Sequence, residues 1–235
     1  MILENNSTNN AKVKKKYRPF YNFWYDFIKV TGAIPVLIWL RPKVYYPFGK
    51  PHTKGPILIS SNHPTMFDPV TVLAVFPTRR LNSLATKDLY TSKFKTFMFN
   101  QMHCIMVDKS NFSVSSFHEV INRLNDGKAV LIFPEGQVNR EESMLAFKSG
   151  AILMAHKSGA PILPMYIVKR EKWYHRQRVI MGQTINVSEM LGRIPSMQQL
   201  TEVSDLLRDN EQKLREYYES LPIYKKMNSS ATITE

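Results

Sequence analysis

Three stretches fix the kind of sheet this chain can build: PILISS at 56–61, AVLIF at 129–133 and APILPMYIV at 160–168. Each is a nearly unbroken apolar run, without the alternation of a strand that has one wet face. Strands of that kind are covered on both sides, as in a parallel sheet packed between helices. Helical patterns lie between them. A helix is predicted over 68–76, another from about 88, and a third over 149–158. VSSFHEVINRLNDGK puts Phe117, Val120, Ile121 and Leu124 on one face and ends at Gly127. The last helix carries Leu200, Val203, Leu207, Leu214 and Tyr218 as an apolar stripe. Further strands are expected at 43–46, in RRLNSLAT, at 103–107 and, as an edge strand, in RVIMGQTI. The pattern predicts an α/β fold with a mixed, mostly parallel sheet flanked by helices.

Charge is unevenly spread. The chain has a formal charge of +13, and residues 1–54 hold ten basic residues against two acidic ones. Such a surface attracts nucleic acid, anionic lipid or a small anionic substrate alike. The neighbouring sequence YRPFYNFWYDFIKVTGAIPVLIWLRP favours lipid, because it is aromatic, apolar and bordered by Lys and Arg. Its uncharged run from Val30 to Leu40 is eleven residues, and a spanning helix needs roughly 20. The expectation is an interfacial helical segment, as two helices broken around Gly32 or Pro35, with Phe20, Phe23, Trp24 and Phe27 dipping into lipid. The alternative is a hydrophobic helix packed on the protein's own core. No secretory signal follows the polar start. The domain reading is a disordered basic tail at 1–16, interfacial membrane-binding helices at 17–42, the α/β domain at 43–220 and a flexible tail at 221–235.

Ligands in open α/β sheets bind beyond the carboxyl ends of the strands. Three polar clusters fall at such ends: Asn62, His63 and Asp68 after PILIS, Asp108 and Lys109 after HCIMV, and Glu135 and Gly136 after VLIF. Histidine is the usual base near neutral pH, and a carboxylate on one ring nitrogen leaves the other free to take a proton. His63 and Asp68 therefore suit a base and its orienting partner, but also a capped turn. No Gly-x-Ser-x-Gly elbow supplies a protein nucleophile, so the more economical reading is that His63 deprotonates a hydroxyl of the substrate. Glu135 calls for a partner such as Arg140, Lys148 or a ligand. Lys87 and Lys109 follow strands, where an anionic headgroup would suit them. A zinc site is disfavoured, because none of the six histidines pairs at the i, i+4 spacing of a helix-borne zinc motif. A single cysteine, Cys104, permits no internal disulfide.

Taken together these motifs resemble the glycerolipid acyltransferases. Their Asn-His-x-x-x-x-Asp signature is matched by Asn62-His63-Pro64-Thr65-Met66-Phe67-Asp68, and their Phe-Pro-Glu-Gly by Phe133-Pro134-Glu135-Gly136. Val107-Asp108-Lys109 is similar to the middle motif, with lysine in place of arginine, and Phe147-Lys148-Ser149-Gly150 and Leu163-Pro164-Met165 to the later elements. The resemblance implies His63 as general base, Asp68 as its orienting residue, Lys109 as the middle basic residue and Glu135-Gly136 as the headgroup turn. Placement after the strands adds Asn62 and Lys87 to the candidate substrate site, and Arg140 joins it as the nearest basic residue after that turn. The resemblance implies acyl transfer from acyl-CoA or acyl carrier protein to the free hydroxyl of 1-acyl-sn-glycerol-3-phosphate (lysophosphatidate), giving phosphatidic acid, with no metal or organic cofactor. It also implies a peripheral or monotopic enzyme on the cytoplasmic face of the cell membrane, with an anionic lipid surface as partner and no nucleic acid. One departure stands out: the family continues Thr-Arg-Ser after Gly136, whereas this chain has Gln137-Val138-Asn139-Arg140. An acyltransferase acting on another lysophospholipid or hydroxylated lipid is the rival reading. A basic membrane- or RNA-binding protein, and a hydrolase using water, are the others.

Overall fold

The computed structural model describes residues 18–108, 113–141 and 143–224. Helix α1 (Arg18–Leu40) leads into strand β1 (Lys43–Tyr45) and strand β2 (Ile57–Ser61). Helix α2 (Asp68–Val75), strand β3 (Leu81–Thr86), helix α3 (Lys93–Gln101) and strand β4 (Ile105–Val107) follow. Then come helix α4 (Val114–Asn125), strand β5 (Ala129–Ile132), helix α5 (Gly150–Ser158), strand β6 (Ile162–Ile167) and strand β7 (Arg178–Met181). The short helix α6 (Val187–Met190) and the long helix α7 (Met197–Ser220) complete the order. The expected tail at 1–16, residues 225–235 of the tail expected at 221–235, and Lys109 lie outside the described residues.

One seven-stranded sheet has the order β1-β7-β6-β2-β5-β3-β4. Five strands run parallel, from β6 to β4, while β7 pairs antiparallel with β6 and parallel with β1. The sheet is therefore mixed and mostly parallel, as the apolar runs predicted. β2 and β5 are buried along their whole length, which is what their lack of alternation meant. One core layer, built on Leu58, Val130, Ile152, Ile162 and Leu207, packs one face against α4, α5 and α7. The other layer uses Ile59, Leu131, Leu163 and Val72.

Three expectations are corrected. β7 is an interior strand, because Lys43–Tyr45 pairs along it and takes the edge position. The stretch after β3 is only a 3-10 turn over Lys87–Leu89, and α3 starts at Lys93, where Ser92 caps it by accepting from the Lys95 N–H at 3.2 Å. The helix 18–40 is one unbroken element through Gly32 and Pro35. Pro35 and Thr31 are both exposed, so water can satisfy the carbonyl that a proline at i+4 leaves without a donor.

α1 is held to the body through one face. Tyr25 is fully buried, accepts from the Leu81 N–H at 2.8 Å and donates to the Leu81 carbonyl at 3.3 Å. The Lys29 ammonium donates to the carbonyls of Phe76 and Arg79, and Arg80 grips Asp26 with two bonds of 2.9 and 2.6 Å. The opposite face exposes Phe23, Trp24, Phe27 and Val30. Asp26 and Lys29, which interrupt the apolar sequence, are thus docking groups. Among the described residues no helix is long and apolar enough to cross a membrane.

Candidate active site

β2 and β5 are parallel neighbours, with Ser60 opposite Ile132. The turns that leave them therefore lie side by side, and the two widely separated motifs meet. The His63 ring lies nearly parallel to the Phe133 ring, 3.9 Å away at 13°. His63 Nδ1 is 2.7 Å from Asp68 Oδ2. Asp68 is buried, and the Thr65 N–H and hydroxyl each donate to it at 2.7 Å. Three partners thus fix one carboxylate at the start of α2: a ring nitrogen, an amide and a hydroxyl. An ionised carboxylate accepting this many bonds has little freedom to turn. It fixes the imidazole tautomer with a proton on Nδ1, leaving Nε2 as an acceptor. Asp68 also stands in the first turn of α2, so the capped-turn and base readings describe the same carboxylate.

The second turn is fixed by Glu135. Its buried carboxylate accepts from Asn139 Nδ2 at 2.8 Å and from the Leu145 N–H at 3.3 Å. Asn139 also donates to the Ser143 carbonyl at 2.7 Å, and its N–H donates to the His63 carbonyl at 2.8 Å. This amide ties the loop after Gly136 to both turns. Gly136 has φ +71, and a Cβ there would stand 2.7 Å from Lys148 Nζ. Glycine suits that left-handed backbone, and the end of the Lys148 side chain takes the space a Cβ would fill.

These turns border a cavity of about 2020 Å³ whose lining includes His63, Phe133, Gly136, Val138 and Lys148. Residues of α1, among them Ile28, Val36 and Leu37, form its outer wall, and Asp108 also lines it. Of the sequence-predicted residues, the structure brings His63, Asp68, Glu135 and Gly136 together. The side chains of Lys87 and Arg140 are exposed and do not line this cavity. Asn62 is buried with its amide bonded to Ile167 in both directions, at 3.0 and 2.7 Å. It bridges the ends of β2 and β6 rather than reaching into the cavity. Among the described residues, no group of three or more His, Cys, Asp or Glu could hold a metal ion.

Four neighbours were not singled out by their sequence positions: Thr65, Phe133 as a stacking ring, Asn139, and Glu211. Thr65-x-x-Asp68 has the spacing of reciprocal capping, which was a usable signal. Glu211 is fully buried beneath the site and accepts from the Ser60 hydroxyl at 2.6 Å. Burial pushes its carboxyl well above the ordinary value of 4.5.

An α/β sheet whose parallel strand ends present an imidazole braced by a carboxylate, at the edge of a long cavity, defines a class of proteins that bind their substrates across the strand ends. The Acyltransferase family model matches residues 42–168, and the chain belongs to the acyltransferase family. The 1-acyl-sn-glycerol-3-phosphate acyltransferase of Bacillus subtilis is 25% identical over 202 residues, covering 81% of this chain and 98% of that protein. The protein of the same name from Borreliella burgdorferi is 28% identical over 153 residues, covering 63% and 61% respectively. The crystal structure of the 1-acyl-sn-glycerophosphate acyltransferase of Thermotoga maritima matches with a TM-score of 0.60 at 16% identity, over 90% of this chain and 87% of that one. At that identity the likeness speaks for the fold.

Proposed function

We propose that the protein transfers an acyl group from acyl-CoA or acyl-acyl carrier protein to the free hydroxyl of 1-acyl-sn-glycerol-3-phosphate, giving phosphatidic acid. The observation that carries this reading is the 2.7 Å contact between His63 Nδ1 and Asp68 Oδ2 at the wall of the cavity. With Nδ1 committed to Asp68, Nε2 takes the proton of the acceptor hydroxyl as its oxygen attacks the thioester carbonyl. The tetrahedral intermediate collapses with loss of the C–S bond, and the imidazolium returns the proton to the leaving thiolate. Asp68 stays ionised throughout and stabilises the imidazolium. Partly exposed apolar residues of the cavity lining, among them Ile28, Val70 and Leu73, suit the acyl chain. The names of the relatives supply the acceptor class.

The phosphate of the acceptor is assigned to Lys148, which lines the cavity beside Gly136. Glu135 and Asn62 act by holding their turns. Kinetics with acceptor and donor varied separately test this. Lys148→Ala raises the KM for lysophosphatidate and leaves that for acyl donor near its starting value, while Arg140→Ala changes neither. A raised acceptor KM for Arg140→Ala alone would transfer the role to Arg140.

A second reading, an acceptor whose phosphate bears a further headgroup, is favoured by one observation. Val138, which stands where the family has arginine, lines the cavity. Thiol release from acyl-CoA across a panel of lysophospholipids, with products identified by mass, separates the two. Release without any acceptor would make the protein a hydrolase and overturn both.

We place the protein on the cytoplasmic face of a membrane, with α1 lying in the interface. Its exposed Phe23, Trp24, Phe27 and Val30 support this, since aromatic and aliphatic groups opposite a docked face match an interfacial helix.

A further inference from the structure

The loop between β6 and β7 carries the sequence KREKWYHR at 169–176, with four Lys and Arg residues against one Glu. Trp173 is 73% exposed and Tyr174 49%. The loop is built to hold them outward. Arg170 donates to the Trp173 carbonyl at 2.9 Å, closing the turn. Arg41, just past the end of α1, donates to the Tyr174 carbonyl at 2.6 Å. Arg176 returns a bond to the Arg41 carbonyl at 2.8 Å, and the Gln177 N–H donates to the Leu40 carbonyl at 2.8 Å. The Arg170 guanidinium lies 4.2 Å from the centre of the Trp39 ring, whose edge contacts Phe67. The loop and the C-terminal end of α1 are thus bolted together. Around them lie Ile38, Met66 and Phe67, all more than half exposed.

We propose that this loop is a second membrane-docking element, which seats Trp173 and Tyr174 at the headgroup level of an anionic bilayer while Lys172 and its neighbouring cations meet the lipid phosphates. This rests on the reading that α1 lies on a membrane. Trp and Tyr favour the membrane–water boundary because each has an apolar body and a polar tip. Clustered cations add attraction to anionic lipid. A basic, aromatic loop could also stack nucleic-acid bases. Its continuity with the apolar residues Ile38, Met66 and Phe67 favours lipid. Two anchors at opposite ends of α1, Phe23 to Phe27 at one and Trp173 at the other, would fix the helix flat and hold the His63 turn against the surface.

The chain has three tryptophans, Trp24, Trp39 and Trp173. The full chain carrying Trp24→Phe and Trp39→Phe reports on Trp173 alone. Vesicles of brominated phosphatidylcholine with phosphatidylglycerol should shift its emission to the blue and quench it, and pure phosphatidylcholine should do so more weakly. Lys172→Ala should lower partitioning about fivefold, the equivalent of about 1 kcal/mol for one surface cation. Should the double variant fail to fold, Trp173→Phe in the otherwise native chain should remove a lipid-quenchable component of the emission. Vesicles that pellet the protein while leaving Trp173 unquenched would overturn the proposal and leave α1 as the anchor. So would an RNA oligonucleotide that quenches Trp173 where vesicles do not. Absence of acyl transfer by the native protein with every acceptor would sink the functional reading instead, and the quenching result would stand on its own.

Discussion

At the scale of single residues, the proposed chemistry depends on one imidazole and the carboxylate behind it. His63→Ala should lower acyl transfer by about 10²–10⁴-fold, the usual loss on removing a general base, with the circular dichroism spectrum unchanged. Asp68→Asn should also fall steeply, because the amide keeps the shape but not the charge that supports the imidazolium. Near-native turnover by either folded variant would remove that residue from the mechanism. Glu211 makes a prediction of a different kind. Its folded-state pKa is raised, so the folded protein holds a proton that the unfolded chain gives up once pH passes the ordinary value of 4.5. This proton's contribution is fully present below that value. It falls by about 1.4 kcal/mol per pH unit up to the raised folded value. Glu211→Gln keeps a neutral side chain of the same shape and should flatten this part of the pH–stability curve in denaturant titrations; an unchanged curve would mean the carboxyl is ionised in the fold. The sequence held a signal here, since Glu211 interrupts the stripe Leu207, Leu214, Tyr218. Its partner Ser60, however, is 151 positions away, and nothing local announces it.

At the scale of elements, α1 shows why composition alone misjudges a helix. Its apolar sequence was legible, and so was its shortfall for spanning a membrane. Which side chains point inward was not, because the hydrogen-bond partners of Tyr25, Asp26 and Lys29 lie far along the chain, at Phe76 and at Arg79 to Leu81. These contacts differ in weight. The Asp26–Arg80 pair is about half exposed on both sides, so Asp26→Ala should cost no more than about 1 kcal/mol. Tyr25→Phe strands the buried Leu81 N–H and should cost about 1–3 kcal/mol. Thermal unfolding of the two variants should rank them in that order, and the reverse ranking would contradict the docking described. The combined change Phe23→Ser, Phe27→Ser and Val30→Ser lies on the other face. It should move protein from vesicles to the soluble fraction while leaving the melting temperature nearly unchanged. Equal pelleting before and after would refute an interfacial α1. The misplaced edge strand has a comparable cause. β7 is apolar enough for either place, and only the three residues of β1 pairing along it decide.

At the scale of the whole molecule, the central strands and the motifs at their ends were legible because parallel strands leave a strong apolar trace and ligands gather at their carboxyl ends. The membership of the site was only half legible. Lys148 reaches Gly136 through a loop that Asn139 and Glu135 knit together, and Phe133 stacks on His63 through the register of β2 with β5; neither distance follows from spacing. The placement of α1 has a consequence for how the protein would be governed. The same helix turns Phe23, Phe27 and Val30 outward and walls the cavity with Ile28, Val36 and Leu37. A lipid could then slide from the leaflet into the site sideways, without crossing water. Turnover would answer to how crowded the acceptor is within the plane of the bilayer, not to how much of it the suspension contains. Diluting lysophosphatidate with inert phospholipid, at constant total lysophosphatidate and with all the protein vesicle-bound, should therefore slow the reaction in proportion to its mole fraction; a rate indifferent to that dilution would mean the substrate arrives through solution.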